Sequence, residues 1–141
     1  MRPLALGILL FSTVWAAAAP APNVNCDKGQ SLNATLAKMN KFSPGTVVFT
    51  GTCNEYVAVD GFDNLTLTGV QGATIQQPNT PPPPIPAFVL SVKESRSVTF
   101  SGFAVRSQPS VPSCIGIGGG STDIMLRFRG YVVDLNDPES S

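Results

Sequence analysis

The sequence contains no histidine. Histidine is the commonest general base, proton shuttle and metal ligand in proteins, so its absence excludes a Ser-His-Asp triad and a zinc site with histidine ligands. Charged residues are also few, at 13%, and 9 lysines and arginines balance 9 aspartates and glutamates. A chain without net charge lacks the basic surface that holds a phosphate backbone, so nucleic acid is not expected as a partner.

The first residues have the order of a secretory signal peptide. One charge at Arg2 is followed by an apolar run from Leu4 to Trp15 and by small residues up to Ala19. The apolar run is shorter than the ~20 residues of a membrane-spanning helix, which favours cleavage over a retained anchor. We therefore predict a signal peptide over residues 1–19, no membrane association after its cleavage, and a secreted protein, either extracellular or periplasmic.

The rest of the chain is long enough for one domain with a modest core. We predict a linker over residues 20–25, a single domain over 26–134 and a polar tail over 135–141. The chain has 3 cysteines, which an oxidising compartment would drive towards pairing. Cys26 and Cys53 are the favoured disulfide, with three free thiols as the alternative. We expect Cys114 to be a small buried hydrophobe, since no histidine is present to activate it.

One short helix is predicted at the start of the domain. Leu32, Leu36 and Met39 recur at helical spacing and form one apolar stripe. Ser31 is a suitable N-cap, and the segment 43–45, Ser-Pro-Gly, ends the helical pattern. We expect this helix to cover the first end of the core.

From Thr46 onward the chain is a series of short strands, each with two apolar positions separated by one outward position. The strands fall into three sets whose order along the chain never changes. The first set is VVF 47–49, ATI 73–75, FAV 103–105 and YVV 131–133; the second is VAV 57–59, LSV 90–92 and IGI 115–117; the third is LTL 65–67, VTF 98–100 and IML 124–126.

This repetition predicts parallel pairing between strands one cycle apart. The predicted fold is all-β: a right-handed parallel β-helix, or single-stranded solenoid, of about three to four coils with an N-terminal capping helix. An antiparallel sandwich or barrel remains the alternative. It would need tight hairpin turns between successive strands, and only Asp60-Gly61 offers such a pair between alternating runs.

The run from Cys26 to Ile75, with its predicted helix and the segments PGTVVFTGTCNEYVAV and NLTLTG, resembles the N-terminal part of secreted right-handed parallel β-helix proteins, the pectate-lyase-like group. The resemblance continues through SVTFSGFAV to about Asp134. It implies an extracellular protein that acts on or binds polysaccharide. Members have many more coils, so the chain is either a truncated product or a protein whose last coil is covered by another chain.

Catalytic chemistry of that family cannot be placed on this sequence. Its lyases use a calcium cluster of carboxylates and a basic proton acceptor, and no matching set is found, so no catalytic residue is assigned. Asp63 and Asp123 precede the third strand set two coils apart, about 9 to 10 Å from the strand repeat, which is too far for one ion to bridge. No metal or cofactor is therefore predicted. Arg96 is expected to be a solvated corner residue, with contact to an acidic sugar as the alternative.

The links between the first and second strand sets are the longest in the chain. They should stack into one protruding wall, stiffened by the prolines at 81–84. Amides that bond hydroxyls and aromatic faces that stack on sugar rings would make this wall a shallow glycan groove. The alternative is that the prolines only stiffen a loop while the aromatic rings pack inward. The predicted binding residues are Asn54, Tyr56, Gln76, Gln77, Asn79, Phe88, Arg106 and Gln108.

The function that these patterns favour is a secreted, non-catalytic module that is carbohydrate-associated or adhesive. The alternative is a truncated or degenerate polysaccharide lyase or hydrolase. Outward threonines at 66 and 68 continue as Thr99 and Ser101 but end at Met125, so an ice-binding face is not expected. The last coil edge, near residues 131–133, is a predicted self-association site because unpaired strand backbone can pair with another chain.

Overall fold

The computed structural model describes residues 19–79, 84, 86–108 and 113–128. The described part consists of short strands, one 3₁₀ turn over Cys26–Lys28 and one α-helix, α1, over Leu32–Leu36. The strands are β1 Asn23–Asn25, β2 Gly45–Thr50, β3 Thr52–Asn54, β4 Val57–Asp60, β5 Leu65–Gly69, β6 Thr74–Gln76, β7 Phe88–Lys93, β8 Arg96–Ser101, β9 Ala104–Arg106, β10 Ser113–Gly118 and β11 Thr122–Arg127.

These strands form three sheets, and the chain visits the sheets in a fixed order. Sheet 1 has the order β1-β2-β5-β8-β11, sheet 2 the order β3-β6-β9 and sheet 3 the order β4-β7-β10. From β2 onward, successive strands enter sheets 1, 2 and 3 in turn. All strand pairs of the described residues are parallel, so the antiparallel sandwich alternative is wrong.

Most of the predicted strand sets are confirmed in register. In the second set Val57 and Ile115 both align with Leu90, and in the third set Phe100 aligns with Leu67 and with Leu126. In the first set, β6 and β9 pair as predicted. The neighbour of each strand is thus the strand one cycle later, as the sequence repetition predicts.

One member of the first set was assigned wrongly. Residues 47–49 belong to sheet 1, where Val47 aligns with Leu67 of β5. The strand that pairs with β6 is instead β3, which follows a turn at Gly51 with φ of 79°. Its segment Thr-Cys-Asn has one buried residue, Cys53, so it lacks the apolar alternation that marks the other strands. The proposed strand at 131–133 lies outside the described residues.

The helix is confirmed, and it is shorter than its apolar stripe. The Ser31 side chain caps α1 by accepting a hydrogen bond from the Ala34 N–H at 3.1 Å. Leu32 and Leu36 are buried in the same core cluster as the β2 side chains, whereas Met39 lies beyond the helix end and is half-buried. The helix therefore closes the start of the core, and its closest strand contacts are with β4.

Polar side chains clamp this helix to the link between sheets 2 and 3. The Glu55 carboxylate accepts hydrogen bonds from the Leu32 N–H at 2.6 Å and the Ser31 hydroxyl at 2.8 Å. The Asn33 amide donates to the Tyr56 carbonyl at 2.6 Å and to Glu55 at 3.0 Å, and its oxygen accepts from Ala58 N–H. Each bond joins residues more than 20 positions apart. Together they fix the first cycle against the helix.

A disulfide strengthens the same region. Cys26 and Cys53 are bonded, with their Cα atoms 4.9 Å apart and a sequence separation of 27. The predicted pairing is confirmed. In the unfolded chain a closed loop of this length removes enough conformational freedom to stabilise the fold by about 3 to 4 kcal/mol in the chain-entropy account. Cys114 is buried, as expected, and its thiol donates to the Ser107 hydroxyl at 3.3 Å.

Aromatic rings fill the centre of the core. The Phe103 ring makes edge-on contacts with Phe49 at 5.1 Å, Phe100 at 6.1 Å and Phe128 at 5.3 Å between centroids. Edge-to-face geometry of this kind adds to the energy of area burial. Phe103 lies between β8 of sheet 1 and β9 of sheet 2. Gly69 ends β5 in the preceding cycle, and a Cβ on this glycine would overlap the Phe103 side chain. The glycine thus lets the ring sit directly against the neighbouring cycle.

The last described cycle leaves apolar side chains uncovered. Leu126 lies in the same sheet position as the fully buried Phe100, yet it is 42% exposed, and Ile117 and Met125 are each 47% exposed. The predicted self-association edge at 131–133 lies outside the described residues and stays a prediction. No helix in the described part of the chain is long and apolar enough to span a membrane.

Replacing Phe103 should destabilise the fold strongly. Phe103→Ala removes the ring that contacts three others and leaves a cavity, so the free energy of unfolding should fall by about 3 to 5 kcal/mol. Phe42→Ala is the matched control, because Phe42 is 85% exposed. Urea unfolding followed by circular dichroism measures both. Equal small losses would show that Phe103 does not hold the cycles together.

The clamp can be tested at Asn33. Asn33→Ala leaves the Tyr56 carbonyl and the Ala58 N–H without this partner, and we expect a loss of about 1 to 3 kcal/mol in urea unfolding. Asn23→Ala, at an exposed position on β1, should change stability by less than about 0.5 kcal/mol. A loss of stability no larger than that of the control would show that the Asn33 hydrogen bonds do not stabilise the N-terminal end.

Candidate functional site

The three links that the sequence predicts to stack do connect the same two sheets. They leave β3, β6 and β9 of sheet 2 and enter β4, β7 and β10 of sheet 3. The first link is shorter than the sequence suggested, because residues 52–54 form a strand. Parts of the other two links, at 80–83, 85 and 109–112, lie outside the described residues.

Three predicted binding residues form one outward column at the end of sheet 2. Asn54, Gln76 and Arg106 align in the strand register. The Gln76 side-chain amide donates a hydrogen bond to the Asn54 side-chain oxygen, Oδ1, at 3.4 Å, and Arg106 is exposed beside them. The structure thus brings these three side chains together in the arrangement of a polar contact surface.

Three other predicted residues form a second cluster with a structural role. The Gln77 side chain is 1% exposed, and its oxygen accepts a hydrogen bond from the Gln108 N–H at 2.9 Å. The Gln108 amide in turn donates to the Asn79 oxygen at 3.0 Å. These amides bind the second link to the third, so Gln77 is not presented to a ligand.

The two predicted aromatic residues differ in exposure. Tyr56 is half-buried and packs against the core, with its hydroxyl buried and without a hydrogen-bond partner. Phe88 is 36% exposed, and its ring occupies the space that a Cβ on Gly116 would need. Tyr56 therefore packs inward, as the alternative to the glycan groove predicts. Phe88 lies on the neighbouring strand of sheet 3 with one side towards solvent.

A groove on the outer face of sheet 1 was not anticipated as a binding site. It has a volume of about 460 Å³. Three threonines at equivalent positions of β2, β5 and β8 run along its floor, because parallel register aligns Thr46 with Thr66 and Thr66 with Thr99. The groove is lined by Pro44, Gly45, Thr46, Asn64, Thr66, Ser97, Thr99, Asp123 and Met125.

One side of the groove consists of corner residues with left-handed backbone. Asn64, Ser97 and Asp123 have φ of 61°, 53° and 60° and each directly precedes an apolar strand position. Such angles suit asparagine and aspartate, whose short polar side chains tolerate them. The Ser97 hydroxyl lies 3.5 Å from an Asp123 carboxylate oxygen. A polar residue directly before the first apolar position of β5, β8 and β11 was the available sequence signal for this row.

The predicted alignment of this corner was displaced by one residue. Asp63 does not share a row with Ser97 and Asp123; it forms a parallel bridge with Arg96. The Arg96 guanidinium donates to both carboxylate oxygens of Asp63, at 3.2 and 2.6 Å. Arg96 is thus paired with Asp63, and its side chain stays 67% exposed, as expected for a solvated corner residue. Local sequence pattern does not distinguish between two adjacent register positions at a corner.

This ion pair lies beside a second cavity, next to the groove. The cavity has a volume of about 320 Å³, and Phe42, Glu94 and Thr122 also line it. Hydrogen bonds from Arg96, aided by its positive charge, hold the pKa of Asp63 below its usual value, against the opposing effect of partial desolvation. The carboxylate is thus charged and satisfied at neutral pH.

A metal-ligating cluster is not evident in the described ranges. The group of close potential ligands there consists of Cys26, Cys53 and Glu55. The two cysteines are joined in the disulfide and cannot supply thiolates, while Glu55 caps the helix. These residues have structural roles.

Comparison of the chain with models of known protein families, with curated proteins and with solved structures finds no match to any of them. The parallel sheets are compatible with the pectate-lyase-like resemblance seen in the sequence. The architecture and the surface chemistry of the described residues therefore carry the functional interpretation.

The Asp63–Arg96 pair has a measurable titration signature. In Arg96→Ala the pKa of Asp63 should rise towards its usual value, whereas Arg106→Ala should leave it unchanged. Because the folded-state pKa of Asp63 is the lower one, pairing contributes stability at neutral pH that is lost as pH falls through that pKa. Carboxyl-carbon NMR titration measures the shift. An unchanged Asp63 pKa in Arg96→Ala would contradict the assignment.

Proposed function

We propose that the chain is a right-handed parallel β-helix module, of the pectate-lyase-like kind, that binds carbohydrate outside the cell without cleaving it. The cyclic strand order and the uniform parallel pairing support the solenoid. Parallel crossovers within a sheet are almost always right-handed, which supports the hand. The disulfide and the absence of a membrane-spanning helix among the described residues are compatible with an extracellular protein.

The observation that carries the carbohydrate proposal is the row of aligned hydroxyls in the groove on sheet 1. Thr46, Thr66 and Thr99 occupy the same position on successive parallel strands. A hydroxyl both donates and accepts hydrogen bonds, so such a row matches the hydroxyl groups of a sugar chain. The corner amide of Asn64 adds a donor and an acceptor at the side of the row.

The direction of the row suggests how a glycan would lie. Strands of one sheet are about 4.8 Å apart, so the row from Thr46 to Thr99 extends about 10 Å across the strands. A linear polysaccharide that follows the row would run perpendicular to the strands. It would contact the hydroxyl side chains of several cycles at once and thereby gain affinity from many weak hydrogen bonds.

The enzyme alternative has less support in this groove. Glycoside hydrolysis commonly uses two carboxyl groups on opposite sides of the scissile bond. Of the residues that line the groove, Asp123 is the carboxylate, and the nearby Asp63 is held by Arg96. This composition fits a binding surface better than a hydrolytic site.

The column of Asn54, Gln76 and Arg106, with the half-exposed Phe88, is a second surface on which the sequence predicts sugar contact. Its amides and guanidinium can bond hydroxyls. The column lies on sheet 2 and Phe88 begins β7 of sheet 3, whereas the groove lies on sheet 1. Variants on each surface can therefore separate the two locations.

Binding can be tested by affinity gel electrophoresis in soluble polysaccharides: hydroxyethyl cellulose, xylan and galactomannan. Thr66→Val keeps the shape and β-branching of the side chain but removes the hydroxyl. It should weaken retention about two- to tenfold, the effect of one hydrogen bond. Thr52→Val, on β3 of sheet 2, is the matched control and should be retained like the natural protein.

Three results of the same experiment would contradict the proposed site or the proposed function. Retention that falls in Gln76→Ala but not in Thr66→Val would move the site to sheet 2. Cleavage of any of these polymers, seen as new reducing ends, would favour the enzyme alternative. Absence of retention by every polymer would remove the carbohydrate proposal.

A further inference from the structure

The charge around the groove determines which glycans it can hold, if the proposed function is correct. Eight of the nine lining residues are uncharged and offer hydroxyls, an amide, backbone or apolar contact, and the ninth is the carboxylate of Asp123. Among the described residues that line the groove, none is a cation. A glycan that carries a carboxylate on each sugar would therefore meet a like charge at Asp123 without a compensating partner in the groove.

The cation nearest this corner in sequence is already engaged. Arg96 directly precedes the groove residue Ser97, and its guanidinium fork is directed at both oxygens of Asp63. Two parallel N–H···O bonds are the preferred geometry of an arginine with a carboxylate. A sugar carboxylate would have to share this arginine with Asp63, whose charge already offsets that of the guanidinium, so Asp63 acts as a built-in competitor.

A second arginine lies at the far end of the groove. Arg127 follows Met125 on β11, and its Nε–H donates to the Met125 sulfur at 3.1 Å. It is exposed and occupies the next outward position of the same strand. One cation at one end cannot match a carboxylate on every sugar of a polymer that follows the threonine row.

We infer that the groove selects neutral, hydroxyl-rich glycans over polyuronic glycans, with Asp123 and Asp63 as the specificity-determining residues. Asp123 acts by direct repulsion at the groove, and Asp63 acts by holding Arg96. This selectivity deepens the proposed carbohydrate binding.

The test compares polymers that share a backbone and differ in charge. Hydroxyethyl cellulose is paired with carboxymethyl cellulose, and methyl-esterified polygalacturonate is paired with polygalacturonate. Affinity electrophoresis of the full chain, with a chelator present so that no divalent ion bridges carboxylates, should show at least about fivefold tighter retention by the neutral member of a pair, because one exposed like-charge contact has an effect of that size.

Two isosteric variants assign the effect to its residues. Asp123→Asn removes the repulsion and suits the left-handed backbone at this position. Asp63→Asn leaves Arg96 available to a sugar carboxylate. Each should reduce the preference for neutral polymer, and the double variant should bring the ratio of the two dissociation constants close to one.

The outcomes are separable. Tighter retention by the acidic polymers in the natural protein overturns the inference and leaves carbohydrate binding in place. An unchanged preference in the double variant also overturns it, because the selectivity would then come from elsewhere. Retention of none of the four polymers overturns the proposed function, and the inference falls with it. Circular dichroism of both variants confirms that they fold.

Discussion

Parallel backbone pairing between strands one cycle apart is the constraint on which the rest of the structure depends. It places Leu67 beside Phe100 and Val59 beside Val92, so inward side chains form continuous rows through the core. The same pairing aligns outward side chains, including the threonines of the groove. Since side chains alternate between faces along a strand, a shift of one residue would exchange the core and the surface.

The first end of the stack is closed by contacts made across the chain. The disulfide, the Asn33 amide and the Glu55 carboxylate all join the N-terminal segment to β3, β4 or the link between them. The helix has one and a half turns and could not persist by itself, because a short isolated helix in water is marginal. Its stability comes from the burial of Leu32 and Leu36 and from this clamp.

The surface chemistry follows from what the corners require. Asn64, Ser97 and Asp123 adopt left-handed backbone just before or at the start of β5, β8 and β11, and the same polar side chains border the groove. Residues selected for a turn are thus available for ligand contact. The Asp63–Arg96 pair directly precedes two groove residues and holds the charge of Arg96, so a local ion pair affects the recognition that we propose in the groove.

The sequence by itself indicated the helix cap and favoured the disulfide, and it determined the alignment of sheet 3 and of later strands in sheet 1, because apolar alternation is strong in those strands. It did not reveal β3, whose single buried cysteine gives no period, or the burial of Gln77 between two links. Only the tertiary structure decided which corner residues align and that the threonines border a groove. Those features depend on contacts between residues 20 to 33 positions apart, for which local pattern supplies no exact register.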